Sequence, residues 1–175
     1  MHAKLESRFN RLNAKLNSLL KAMDGCSDER LLKAPEGKWN SLQILHHLLS
    51  SEQKSSNYIH KKMQGIQESP KTGMSAAFRS WALRFALGSR IKKYKAPAIL
   101  GEMPENLDYT STKENYLHVR KELAELLKDL SEDQLGLALF KHPIAGRMNV
   151  LQALGFMEAH MDRHGEQIYE RAGIK

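Results

Sequence analysis

Apolar residues recur at spacings of three and four along several long segments, and this spacing constrains the fold more than any other feature. The first segment is the clearest, with apolar side chains at Leu5, Phe9, Leu12, Leu16, Leu19 and Leu20. Such spacing places apolar side chains on one face of an α-helix, whereas a half-buried strand would alternate apolar and polar residues. We therefore expect long helices over residues 5–22, 40–65, 111–130 and 149–172, with an extra helix over 75–94.

Turn and capping residues delimit these segments. Asn40 and Ser41 can cap the second helix, Thr110 or Ser111 the third, and Gly173 is suited to end the last. Four amphipathic helices must bury their apolar faces against one another, and a bundle does this most simply. The sequence predicts an all-α four-helix bundle, one domain over residues 1–175, with the extra helix in the long connection between bundle helices two and three.

Composition excludes several classes of protein. The single cysteine, Cys26, excludes an intrachain disulfide and every multi-cysteine zinc pattern, and we expect it to lie in a loop. No apolar run is long enough for a membrane span, and the charged N-terminus lacks the apolar core of a signal peptide, so we expect a cytoplasmic protein. The net charge is +7. Much of this excess is local and no nucleic-acid motif accompanies it, so we expect no nucleic-acid partner.

One basic, aromatic stretch has two interpretations. In AAFRSWALRFALGSRIKKYK, tryptophan and phenylalanine are interleaved with arginine and lysine, as in helices that lie on a membrane surface. The other interpretation, which we prefer, is a helix packed over the mouth of the bundle with its arginines in solvent.

A histidine pair marks the last helix. His160 and His164 in FMEAHMDRHGEQI are one helical turn apart, on a flank of the apolar face, and can converge on one metal ion. Histidines in such positions also commonly serve only to hydrogen-bond neighbours. The zinc-protease motif HExxH is absent, since Met161 follows His160.

A second group of polar residues lies on the second helix, in WNSLQILHHLLSSE. His46 and His47 are adjacent and point about 100° apart, and the helical wheel does not choose between them. Glu52 falls near the centre of the apolar face. A carboxylate there needs a partner, which can be a metal, a histidine or a buried donor. It can also reach a helix end or an arginine such as Arg120.

Two stretches resemble signatures of the DinB-like family. PEGKWNSLQILHHLLSSE is similar to the family's second helix, and HPIAGRMNVLQALGFMEAHMDRHGEQI is similar to its closing segment. The resemblance implies a four-helix bundle, often dimeric, with a divalent metal held by one histidine from helix two and two from helix four. The matching positions are His47, His160 and His164. His46 is then a neighbour, and His142 belongs to a structural turn in which its imidazole caps backbone groups.

The resemblance also implies an activity. An open three-histidine site holding Zn, Ni or another divalent ion suits thiol-dependent transferase or isomerase chemistry on a small-molecule substrate, using a low-molecular-weight thiol. Glu52 would do acid–base work beside the ligands, and Gln167 would orient a ligand or the substrate. A hydrolase-like enzyme and a non-catalytic metal-binding or stress-response bundle remain open, and we expect a homodimer.

Overall fold

The computed structural model describes residues 1–89, 103–104 and 106–174, and the described chain is mostly helical. Within these residues, six α-helices and one short hairpin follow in order: α1 Ala3–Asp24, α2 Asp28–Leu32, α3 Ser41–Gln64, α4 Met74–Gly88, α5 Tyr109–Lys128, β1 Phe140–His142, β2 Gly146–Met148 and α6 Val150–Ala172. Short 3₁₀ segments lie at Ile66–Glu68 and Glu132–Gly136.

The four long helices form the bundle that the apolar spacing predicts. Helices α1 and α3 each pack against both α5 and α6, so the four close around a common core. The fully buried side chains of that core include Leu5, Leu12, Leu16, Leu45, Ile59, Leu123 and Leu127. The prediction of a four-helix bundle is confirmed.

Helix α4 is the extra helix, and it lies outside the bundle. It packs against α6 and against β2. It begins at Met74 and ends at Gly88, so the expected start near residue 75 is confirmed. The part of the expected helix over residues 90–94 lies outside the described residues.

The start of α5 differs from the prediction. Asp108, not Thr110 or Ser111, is the N-cap, and its carboxylate accepts a hydrogen bond from the backbone N–H of Ser111 at 2.7 Å. Aspartate caps helices better than threonine does and as well as serine, and the backbone N–H of Ser111 is itself one of the groups that Asp108 caps. The helix ends at Lys128, two residues before the expected end.

Helix α2 and the β1–β2 hairpin were not predicted. Helix α2 is only five residues long and begins at the Ser27 cap. The strands β1 and β2 pair antiparallel, with Phe140 opposite Met148 and His142 opposite Gly146. Gly146 has a φ of +73°, a left-handed conformation that favours glycine at this turn. Elements of three to five residues are too short to show a clear apolar period.

No helix in the described ranges has both the length and the apolarity that crossing a bilayer would require.

Candidate metal centre

His47 is positioned by the capped start of α3. Asn40 and Gln43 form a reciprocal capping box, in which each side chain accepts the other residue's backbone N–H. His47 lies two turns further along and is buried, 6% exposed. The ring of Trp39, just before the cap, lies 5.2 Å from the imidazole of His47, measured between centroids. The local sequence thus fixes both the helix start and one wall of the site.

His160 and His164 are presented by α6, which begins with an equivalent capping box. There the side-chain oxygens of Asn149 and Gln152 each accept the other residue's backbone N–H. One turn separates the two imidazoles, whose ring centroids are 4.6 Å apart. Phe156, one turn before His160, stacks on its ring at 5.4 Å with an interplanar angle of 20°. The HxxxH spacing therefore does place both rings on one side of the helix.

Helices α3 and α6 bring the three imidazoles together. One ring nitrogen from each of His47, His160 and His164 lies within 4.8 Å of the others. The Nε2 atoms of His47 and His160 are 3.2 Å apart. Two nitrogens bound to one tetrahedral zinc ion at about 2.1 Å are roughly 3.4 Å apart, so this spacing fits a shared ion. Three imidazoles are also a donor set that Zn, Ni and similar divalent ions accept.

The electrostatics of the cluster favour the ligand form of each histidine. Burial, followed by the neighbouring His164, lowers the pKa of His47 to about 4. Burial also lowers the pKa of His164 to about 4, and that of His160 well below its usual value. All three rings are therefore uncharged at neutral pH and keep a lone pair for a cation.

Gln167 fixes the orientation of one ligand. The Nδ1 atom of His164 lies 2.7 Å from the side-chain oxygen of Gln167, to which the ring N–H donates. This bond holds the proton on Nδ1 and leaves Nε2 of His164 for a metal. Gln167, predicted to orient a ligand or a substrate, contacts a ligand.

His142 caps the hairpin turn, as predicted. Its Nδ1 accepts hydrogen bonds from the backbone N–H groups of Ile144 and Ala145, each at 3.2 Å. Its ring also packs against Phe156, with centroids 4.6 Å apart. The turn thereby holds β1 against the helix that carries two of the three histidines.

A cavity of about 520 Å³ opens above the imidazoles. Its walls are largely apolar, with contributions from Trp39, Ile44, Leu83, Leu87, Phe140, Ile144 and Phe156. Basic residues also line it, namely Lys38, Lys54, Lys141, Arg163 and Arg171, and none of its described lining residues is Asp or Glu. These basic residues were not singled out from sequence, because they are scattered over four separate segments.

Glu52, predicted to do acid–base work beside the ligands, lies at the contact between α3 and α5. Its carboxylate pairs with Arg120 of α5 through two hydrogen bonds, of 2.6 and 2.8 Å, and also accepts from the hydroxyl of Tyr116 at 3.2 Å. Both charged side chains are buried, Glu52 4% and Arg120 3% exposed. Glu52 is not among the residues that line the cavity. The geometry corresponds to the alternative of a buried donor as the partner of Glu52.

Three further residues, His46, Cys26 and His2, lie outside the histidine cluster. His46 is half-buried, and its Nε2 lies 3.3 Å from the hydroxyl of Ser50 on the same helix. Cys26 follows α1, and its thiol donates to the carbonyl of Ala22. His2 caps the start of α1.

Comparison with known proteins gives one family. A sequence profile described as the DinB superfamily matches residues 11–168, which is most of the chain. The chain belongs to the DinB superfamily. Among solved structures, this DinB-like chain is similar to YfiT from Bacillus subtilis, with a TM-score of 0.62 and 17% identity, covering 100% of this chain and 91% of that one.

YfiT is described as a probable metal-dependent hydrolase with an unusual four-helix bundle topology. At this identity the likeness establishes a shared fold. No curated protein matches the sequence significantly.

Proposed function

We propose that this DinB-like chain is a divalent-metal-dependent enzyme that transfers a low-molecular-weight thiol to a small anionic electrophile. The observation that carries the proposal is the convergence of His47, His160 and His164 at the floor of a cavity. The walls of that cavity are largely apolar and include several lysine and arginine side chains. A divalent ion held there would supply Lewis acidity, lowering the pKa of a nucleophile brought to it and polarising the electrophile.

The ligand set and the cavity wall together favour an anionic substrate. Three neutral imidazoles leave the charge of a divalent ion uncompensated, and the described lining of the cavity adds lysine and arginine but no carboxylate. Anions are therefore attracted to the cavity and cations repelled from it. The apolar walls suit a substrate whose charge is attached to an apolar body.

The absence of a carboxylate from the described lining also favours a thiol over water as the nucleophile. A divalent ion would lower the pKa of a bound water and of a bound thiol alike, but the thiol starts from the lower ordinary pKa, about 8.5. Hydrolysis at a metal centre therefore commonly uses a nearby glutamate as general base. Here Glu52 is engaged by Arg120 and Tyr116. A thiol can lose its proton to solvent, after which its sulfur bonds to the electrophilic carbon and the leaving group departs with the bonding electron pair.

Metal analysis of matched variants tests the ligands. We expect His47→Ala, His160→Ala and His164→Ala to lose bound metal, and His46→Ala and Cys26→Ser to retain it. The pair His46→Ala and His47→Ala is a close control, because the two residues are adjacent on α3 and only His47 joins the cluster.

An activity screen then tests the reaction. Metal-loaded protein is assayed with glutathione and other small thiols against anionic and neutral aromatic electrophiles, by loss of free thiol. We expect turnover that needs both metal and thiol. Equal activity in wild type and His160→Ala would reject the metal mechanism. Turnover with water alone would indicate the hydrolase that the described likeness to YfiT suggests, and full metal occupancy without any turnover would indicate a non-catalytic metal-binding bundle.

A further inference from the structure

The outer face of α4 carries a continuous apolar surface, the α4 ridge, formed by Met74, Phe78, Trp81 and Phe85. These side chains are 91%, 66%, 60% and 68% exposed. Their spacings of four, three and four align them along one face of the helix. The ring of Trp81 lies 5.9 Å from that of Phe78 and 5.8 Å from that of Phe85, so the three aromatic rings form one surface.

The ridge is exposed even though α4 is docked on the rest of the protein. The opposite face of α4 is already buried through Ala76, Ser80 and Leu83, and the helix packs against α6 and β2. A rotation that buried the aromatic rings would expose this docked face. The expected packing of α4 over the bundle is thus present, and it leaves the largest side chains of the helix in solvent. An exposed apolar patch of this kind indicates an interaction surface.

The net positive charge of the chain comes from the stretch of sequence that contains this helix. Residues 69–101 contain seven Lys and Arg and no Asp or Glu, while the rest of the chain contains twenty of each sign. The net charge of +7 therefore belongs entirely to this stretch. Among its described residues, Lys71, Arg79 and Arg84 are exposed.

We propose that the α4 ridge binds the surface of an anionic phospholipid membrane. Tryptophan and phenylalanine are suited to the headgroup region, and flanking lysine and arginine are attracted to anionic lipid. A second copy of the chain seated on the ridge would bring two stretches of the same positive charge together, which opposes that occupant. The proposal uses no residue of the histidine cluster and does not depend on the proposed activity.

Vesicle binding by the full chain tests the proposal. The Trp39→Phe variant leaves Trp81 as the single tryptophan, so its emission reports on the ridge alone. With vesicles of phosphatidylglycerol and phosphatidylcholine, we expect co-sedimentation, a blue shift of the Trp81 emission and quenching by brominated lipid. Binding should weaken as salt is added, and vesicles of phosphatidylcholine alone should bind far less.

A pair of variants separates the ridge from general surface hydrophobicity. Phe78→Ser with Phe85→Ser should weaken vesicle binding at least about tenfold. Leu32→Ser with Leu117→Ser changes two apolar side chains that are also exposed, 53% and 40%, but lie elsewhere, and should bind as the wild type does. Circular dichroism and urea unfolding establish that each variant is folded.

Three results would overturn the proposal. These are no binding to anionic vesicles, equal binding to both vesicle types, and equal binding by both double variants. A dimer in sedimentation that the ridge variant abolishes, without vesicle binding by the wild type, would assign the ridge to a second copy.

Discussion

Identical residues have different roles in this chain because their surroundings differ. His47 and His46 are neighbours in sequence, yet the first meets two imidazoles from α6, whereas the Nε2 of the second lies beside a serine hydroxyl of its own helix. His142 is buried too, but it accepts backbone hydrogen bonds in a turn. The role of each ring is set by which polar atoms reach its two nitrogens.

At the scale of single residues, the hydrogen bond between Gln167 and His164 leads to a prediction about metal affinity. Gln167→Ala removes the acceptor that holds the proton on Nδ1, so both the tautomer and the ring orientation become free. We expect metal affinity to fall by roughly 10–100-fold, with the fold retained. Competition with a chromogenic chelator measures the affinity. Gln53→Ala, at an exposed position of α3, is the control and should bind metal as the wild type does. Unchanged affinity in Gln167→Ala would show that the bond does not support the site.

At the scale of elements, helix α3 contributes both to the histidine cluster and to the buried ion pair. One side presents His47 to α6, and another presents Glu52 to α5. A single helix therefore joins the histidine cluster to a buried ion pair with α5. A buried charge left without its partner is strongly destabilising, which gives Glu52 and Arg120 a structural function.

Substitutions at this pair separate stability from catalysis. Glu52→Ala should lower the free energy of unfolding by about 3–5 kcal/mol, because it leaves the charge of Arg120 buried and unpaired. Combining Glu52→Leu with Arg120→Leu should lower the free energy of unfolding much less, because no unpaired charge is left buried. Glu125→Ala breaks the exposed pair with Lys128 and should leave the free energy of unfolding nearly unchanged, because solvent screens that pair. Urea unfolding measures all three.

A further variant, Glu52→Gln, tests the catalytic role that the sequence predicts for Glu52. Folded Glu52→Gln should bind metal as the wild type does. If it instead keeps its stability and loses metal or activity, Glu52 belongs to the catalytic centre after all.

On the scale of the whole molecule, the candidate metal centre joins distant parts of the chain. His47 and His160 are 113 residues apart in sequence and touch through their Nε2 atoms. An ion bound by both would link α3 to α6, and it would bind the folded chain far better than the unfolded one.

Metal binding should therefore stabilise the fold. At a free metal concentration about 100 times the dissociation constant, the free energy of unfolding should rise by about 2.7 kcal/mol. For a chain of this size that corresponds to an increase in Tm of roughly 5–10 °C. Thermal unfolding with zinc chloride measures it, and magnesium chloride is the control, because Mg²⁺ prefers oxygen ligands. A zinc-induced increase of the same size in His160→Ala would show that the ion binds elsewhere.

Local features of the sequence were sufficient for the helices and for part of the site. The apolar spacing around Leu12 and Leu16 depends only on helix geometry. The caps Asn40 and Asn149 act within one turn of chain, and so does the imidazole of His142 in its turn. The placement of His160 and His164 on one face also follows from the helical repeat alone.

Other features depended on contacts between elements far apart in the chain. The helical wheel could not choose between His46 and His47, because the choice depends on where α6 lies against α3. Asp108 lies just before the segment with clear apolar spacing and was missed as a cap. Whether Glu52 faces a metal or Arg120 was decided by the packing of α5, since a buried carboxylate takes whichever cation the tertiary structure brings within hydrogen-bonding distance.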